Sequence, residues 1–260
     1  MADAMHQERW LAGDAYDALR AVDFQRFCTA ARTDLTAHVP TCPEWDVAGL
    51  CDHLARVYQG RSYIVANGEF LDSEAFELRA EGEDPVAWVQ RWSDELDRAL
   101  LGQDDDAPTV TFMPDATTMH FWRRRMALET IVHRTDAEIA VGDVTSMDDE
   151  LSADGVDEML WFFSDPRTEH TTDAAASRSV VELTDGTRSW LVAIADDAFE
   201  TLAPGTPADV LARGSAPALL LTVSGRDLTG LGASRFGVAP LEVSGDEAGF
   251  ERFRARFVEF

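Results

Sequence analysis

The sequence predicts an α+β chain of two domains, a four-helix bundle over residues 1–148 and a smaller mixed α+β domain over 149–260. Three observations predict it. Before Gly142, four stretches place apolar residues at a period near 3.6 with no interior proline, the pattern of amphipathic helices. Prolines, glycines and acidic runs separate these stretches, as the connections of a bundle require. After Gly142 the texture changes to short β-rich runs around an Asp185-Gly186 turn, so strands join the helices.

Taken in order, the first helix is expected from Met5 to Arg32, with Trp10, Leu11, Tyr16, Leu19, Val22, Phe27 and Cys28 supplying its period and Gly13 weakening its start. Two prolines within His38–Trp45 break it. Asp46 then caps a second helix, Val47 to Asn67, which Gly68 closes. The carboxylate accepts from free N–H groups of the first turn, and glycine tolerates the left-handed conformation at the far end. Leu50, Leu54, Val57 and Ile64 form the buried stripe of that helix, with His53 on its edge. Glu69 to Glu83 reads as an acidic surface loop. Asp84-Pro85 opens a third helix that runs to Leu101 and buries Val86, Val89, Trp92, Leu96 and Ala99. Proline at the first helical position sacrifices no bond, because that N–H has no partner inside the helix. Gln103 to Pro114 reads as an exposed loop. The fourth helix needs no special pleading: nothing from Thr118 to Val141 is glycine or proline, and Gly142 stands at its end.

In the second half, Glu150 to Phe163 is expected to be a connecting helix and Ser164 to Arg178 a linker or long loop. Ser179–Thr184 and Arg188–Ala195 form a hairpin, with Trp190, Val192 and Ile194 alternating onto one face. Further strands are expected at Ala208–Ala212 and Leu241–Val243, and a last helix at Glu247–Phe260. Ala216–Val223 fits a strand or a helix by periodicity, and Pro217 near its start decides for helix.

The totals narrow the function classes. With 260 residues, 45% of them hydrophobic and 27% charged, the chain is an ordinary globular protein able to fold without staples. Its net charge is −26, and all 22 basic residues are arginine. Such a field repels phosphate backbones and anionic lipid, which argues against nucleic-acid and membrane partners. Cys28, Cys42 and Cys51 are odd in number and irregularly spaced, which points to a reducing compartment rather than a disulfide framework. No signal peptide or spanning run is visible, so the expected location is the cytoplasm and the expected state a monomer or homodimer.

The chemistry-bearing residues gather on the fourth helix. Glu129 and His133 are four apart and Asp136 is three further on, so all three share one helical strip. Trp122, Met126 and Ala140 lie on the same strip, which turns it toward a core where unpaired polar groups would cost several kcal/mol, roughly. A metal ion or a tight hydrogen-bond network is therefore required. His53, from the second helix, reaches the same interior if the two helices pack side by side. His53, Glu129 and His133 then make a two-imidazole, one-carboxylate set with at least one coordination position open. A Glu-x-x-x-His pair alone is also a common surface hydrogen-bonded pair, so spacing leaves both readings standing. Cys42 and Cys51 read as core packing, Trp45 and Trp122 as core anchors, and His38, His120 and His170 as surface or hydrogen-bonded residues. Arg123, Arg124 and Arg125 read as ion-pair partners for an acidic surface, one of them able to reach the site.

His38-Val-Pro-Thr-Cys-Pro-Glu-Trp-Asp-Val-Ala-Gly-Leu-Cys-Asp-His-Leu54 and Arg124-Arg-Met-Ala-Leu-Glu-Thr-Ile-Val-His-Arg-Thr-Asp-Ala-Glu-Ile-Ala140 together resemble the mycothiol-dependent maleylpyruvate isomerase family, whose first domain is a DinB-like four-helix bundle. Weaker resemblance continues in Ala208–Gly214, Leu219-Leu-Leu, Ser224-Gly-Arg226 and Glu242–Asp246. The resemblance implies a divalent metal, usually taken to be zinc, on His53, Glu129 and His133. It implies Asp136 as the group that orients a ligand imidazole, and Arg226 as the arginine that holds a substrate carboxylate. Mycothiol is the implied cosubstrate, a low-molecular-weight thiol deprotonated on the metal, and a small-molecule electrophile is its partner. In the isomerase the thiolate adds to a cis double bond, the bond rotates, and the thiol is expelled. Other members would use the same activation for S-transfer or ring-opening. Two alternatives stand beside this: a non-catalytic module held together by its metal, and a metal-dependent hydrolase using bound water.

Overall fold

The helices of the first half begin and end where their end groups find partners. Helices α1 (Gly13–Thr33), α2 (Val47–Asn67), α3 (Pro85–Leu100) and α4 (Met119–Val141) form the bundle of a computed structural model that describes residues 9–165, 178–195, 198–227 and 238–257. Asp46 accepts from the Gly49 N–H at 2.8 Å and Asp84 from the Val86 N–H at 3.0 Å. Gly68 and Gly142, with φ of 72° and 79°, close α2 and α4 through bonds to the Ile64 and Glu138 carbonyls, positions where a side chain would strain the left-handed backbone. The chain divides into two compact units, Met1–Thr145 and Ser146–Phe260, each described by itself.

In the first unit α1 packs along α4 and α2 along α3, while α2 also meets α4. That last seam carries the candidate site. Trp122, Phe121, Phe27, Leu50 and Tyr58 are fully buried in the core.

Two expectations about this unit need correcting. Trp10 and Leu11 lie ahead of α1, because Asp105 accepts from the Gly13 N–H at 3.1 Å and so caps the helix there; the stretch from Met5 to Glu8 lies outside the described residues. The inward face of α1 is also rotated: Val22 is exposed, whereas Arg20 and Asp23 are buried. Arg20 pairs with Asp97 and Asp23 with Arg134, partners from other helices that apolar periodicity does not register. On α3, Trp88 rather than Trp92 takes the buried position. The loop after Asn67 carries only a short 3-10 turn at Ser73–Ala75.

The second unit holds α5 (Asp149–Ser164), β1 (Ser179–Thr184), β2 (Ser189–Ala195), β3 (Ala198–Leu202), β4 (Val210–Arg213), α6 (Ala216–Val223), β5 (Glu242–Gly245) and α7 (Glu247–Ala255). The sheet order is β3-β2-β1-β4-β5, parallel only between β1 and β4. The expected hairpin is present, with Thr184 opposite Ser189. Asp185 accepts from the N–H groups of Thr187 and Arg188, and Gly186 sits at φ 89° between them. β2 is buried on both faces, since Leu191 and Ala193 are as enclosed as Val192 and Ile194. β3 is an addition to the expected elements. α5 is a core helix of this unit rather than a mere connection, buried from Leu151 to Leu160. Phe163, Phe199, Phe253 and Phe257 pack ring against ring beside it. Residues 166–177 and 258–260, which hold parts of the expected linker and last helix, lie outside the described residues, as does His170. Among the described residues, no helix is long and apolar enough to cross a membrane.

Candidate metal centre

The seam between α2 and α4 brings His53 onto Glu129 and His133. His53 Nε2 lies 3.4 Å and His133 Nε2 3.2 Å from the same Glu129 Oε1. One donor atom from each of the three residues falls within 4.8 Å of the others. The two imidazoles meet edge to face, their centroids 4.7 Å apart.

What surrounds these atoms tests whether a metal fits. His133 Nδ1 donates to Asp136 Oδ2 at 2.9 Å, which leaves Nε2 as the nitrogen that faces the cluster. Asp136 is fully buried, and its other oxygen accepts from Thr41 Oγ1 at 2.7 Å. Glu129 gives its second oxygen to Arg125 on the same helix, so Oε1 alone is turned to the imidazoles. His133 and Glu129 are thus oriented by bonds made on their far sides, the arrangement of metal-ligating histidines and carboxylates. Two imidazole nitrogens and one carboxylate oxygen suit zinc or a similar borderline divalent ion. The residues fit the group.

The electrostatics agree with that arrangement. Burial alone would raise the Glu129 pKa, but the Arg125 charge and the hydrogen bonds of His133 and His53 hold the carboxyl well below its ordinary range. Burial alone would lower His133, yet the carboxylates of Asp136 and Glu129 raise it.

Trp45 is not the core anchor expected of it. It is only partly buried, and its ring lies 4.6 Å from that of His53, tilted by 33°. Cys42, also only partly buried, has its Sγ 3.9 Å from Asp136 Oδ2. Cys28 and Cys51 are buried, and burial pushes their thiols up to about 11 and about 12, which removes them as nucleophiles. Of the arginine run, Arg123 pairs with Asp17 and Asp105, Arg124 lies over Trp10 at 4.7 Å, and Arg125 reaches Glu129. His120 bonds to the Leu11 carbonyl. Arg226 belongs to the second unit, where it is 9% exposed and donates to the Ser224 carbonyl. Thr41 escaped the sequence reading because its role depends on which helix Asp136 faces. The only available signal was its place between two prolines.

A helical bundle with an oriented His-Glu-His cluster between two of its helices defines the class. Residues 18–138 match the mycothiol maleylpyruvate isomerase N-terminal domain, and the first unit, which holds them, belongs to that domain family. Two solved structures share the fold across both halves. One is the mycothiol-dependent maleylpyruvate isomerase, at a TM-score of 0.57 and 15% identity over 85% of this chain and 92% of that one. The other is a His-to-Ala mutant of it, at a TM-score of 0.57 and 14% identity over 84% and 90%. No curated protein matches the chain.

Proposed function

We propose that this chain is a metal-dependent, mycothiol-using enzyme of the isomerase or S-transferase type, acting on a small electrophile. The observation that carries the reading is the convergence of His53, Glu129 and His133 within 4.8 Å, inside the domain that defines the family. These three residues would hold the ion. A bound divalent metal, zinc by preference, would keep a thiol as thiolate at neutral pH.

The chain's own residues do the rest. Asp136, anchored by Thr41, fixes the His133 ring and keeps its proton on Nδ1. Arg125 fixes the Glu129 carboxylate from behind. Trp45 covers the His53 ring and limits water on that side. A cavity of 620 Å³ opens beside His53, walled by Trp45, Asp52, Arg56, Arg79 and Trp88, and gives a small ligand room on the His53 side of the cluster. Arg226 is assigned one carboxylate of the electrophile, for which a planar guanidinium is the matching partner.

Metal analysis of the purified protein, with and without added zinc, tests the reading. Close to one equivalent is expected for the native chain and less than about a tenth for a His53→Ala, His133→Ala double variant, each ligand loss weakening the site severalfold or more. Equal metal in both would sink the site. Turnover of an electrophile without any thiol would favour the hydrolase instead.

A further inference from the structure

Arg61 stands on α2 eight residues beyond His53, about two helical turns, and a helical side chain leans back toward the N-terminus and so toward His53. Its guanidinium lies over the Trp122 ring at 4.9 Å. Its Nε is out of solvent and has no hydrogen-bond partner. Among the described residues, no ion pair reaches it either. Arg61 is close enough to feel the charges of Glu129 and Arg125, yet Glu129 has no oxygen to spare. One is turned to His53 and His133 and the other is taken by Arg125.

Arg61 and Arg125 therefore bring two guanidinium charges toward one carboxylate in a chain whose net charge is −26. A donor left unpaired out of water is destabilising, and an incoming anion relieves it. The indole holds the guanidinium in place by a cation–π contact, and a planar guanidinium suits a two-oxygen acceptor.

We propose that Arg61, with Arg125 beside it, forms an anion subsite next to the His53–Glu129–His133 cluster that takes a carboxylate of the small-molecule substrate. The subsite deepens the function proposed above and rests on it for its role. It selects carboxylates over neutral analogues, because the guanidinium charge attracts the anion and not the ester.

Succinate, with its dimethyl ester as the neutral control, is the probe, titrated calorimetrically into zinc-treated native protein and into Arg61→Met and Arg61→Lys variants. Metal content is measured on each sample. The expected result is succinate binding by the native protein, at least tenfold weaker in Arg61→Met and intermediate in Arg61→Lys, with no binding of the ester and unchanged metal. Equal succinate affinity in the native and Arg61→Met proteins, or no binding to the native one, overturns the subsite. If Arg61→Met fails to fold, Arg61→Lys decides, since the loss of the planar fork alone must weaken binding. Loss of metal with succinate binding intact would defeat the metal reading and leave the subsite standing; the reverse would do the opposite.

Discussion

Helix α4 carries two buried polar clusters, and they are built to opposite ends. Around Arg134, which is fully buried, donors and acceptors answer one another. The guanidinium reaches Asp23, Glu138 and Thr145, and Thr145 in turn donates to both oxygens of Glu138. Around Glu129, one turn earlier, the bonds of Glu129 and His133 run to their far sides and leave Glu129 Oε1 and the imidazole nitrogens facing a common point. The first cluster is closed upon itself; the second turns its remaining donor atoms to one point. Burial alone does not separate structure from function on this helix. The direction of the hydrogen bonds does.

The largest effect should come from breaking the closed cluster. Arg134→Met leaves Asp23 and Glu138 buried without their cation, and should destabilise the first unit by about 3–5 kcal/mol, read as a lowered urea midpoint. The metal content of the protein that remains folded should be unchanged. The open cluster should behave in reverse. Asp136→Asn should weaken metal binding by roughly 10–100-fold, measured by competition with a chromophoric chelator, while far-ultraviolet circular dichroism stays native.

Acidity sharpens the contrast. In the metal-free protein the His133 pKa is raised above its ordinary value by Asp136 and Glu129 against the effect of burial. Its contribution to stability is therefore fully present below the unfolded value and lost as pH rises through the folded one. Metal binding has the opposite sign. It requires neutral His133, so affinity should fall about tenfold for each pH unit below that raised pKa and level off above it, with proton release visible in calorimetry across buffers of different ionisation heat. The carboxyl of Glu129, depressed chiefly by Arg125 against its burial, should contribute no titration of its own until well into acid. The smallest effect belongs to Thr41→Val, which removes one of the bonds that hold Asp136. A loss of about 1 kcal/mol, near fivefold in metal affinity, is expected from the same competition assay.

The bounds of α2, α3 and α4 could be read from Asp46, Gly68, Asp84-Pro85 and Gly142, because those signals are local. The hairpin turn at Asp185-Gly186 and the proline-started α6 were readable for the same reason. The face of α1 was not, since Arg20 and Asp23 are buried by partners on α3 and α4 that no periodicity in α1 reports. β3 carries too weak an alternation in Ala198–Leu202 to stand out before its pairing with β2 is known. At the candidate site, the helical spacing of Glu129, His133 and Asp136 put them on one strip, and His53 needed only the packing of two helices to join them. Thr41, Trp45 and Arg61 were opaque. Their meaning lies in what they touch across the bundle.

The claim at the centre of this account is that His53, Glu129 and His133 hold a divalent ion with a position left for a thiol. Cobalt(II) in place of the native ion tests it most directly, because a thiolate bound to cobalt gives a sulfur-to-metal charge-transfer band in the near ultraviolet. Adding mycothiol to the cobalt-loaded chain should produce that band at one equivalent, and the His53→Ala, His133→Ala variant should show none. A native protein that binds cobalt yet gives no band, or a double variant that gives the same band, would contradict it.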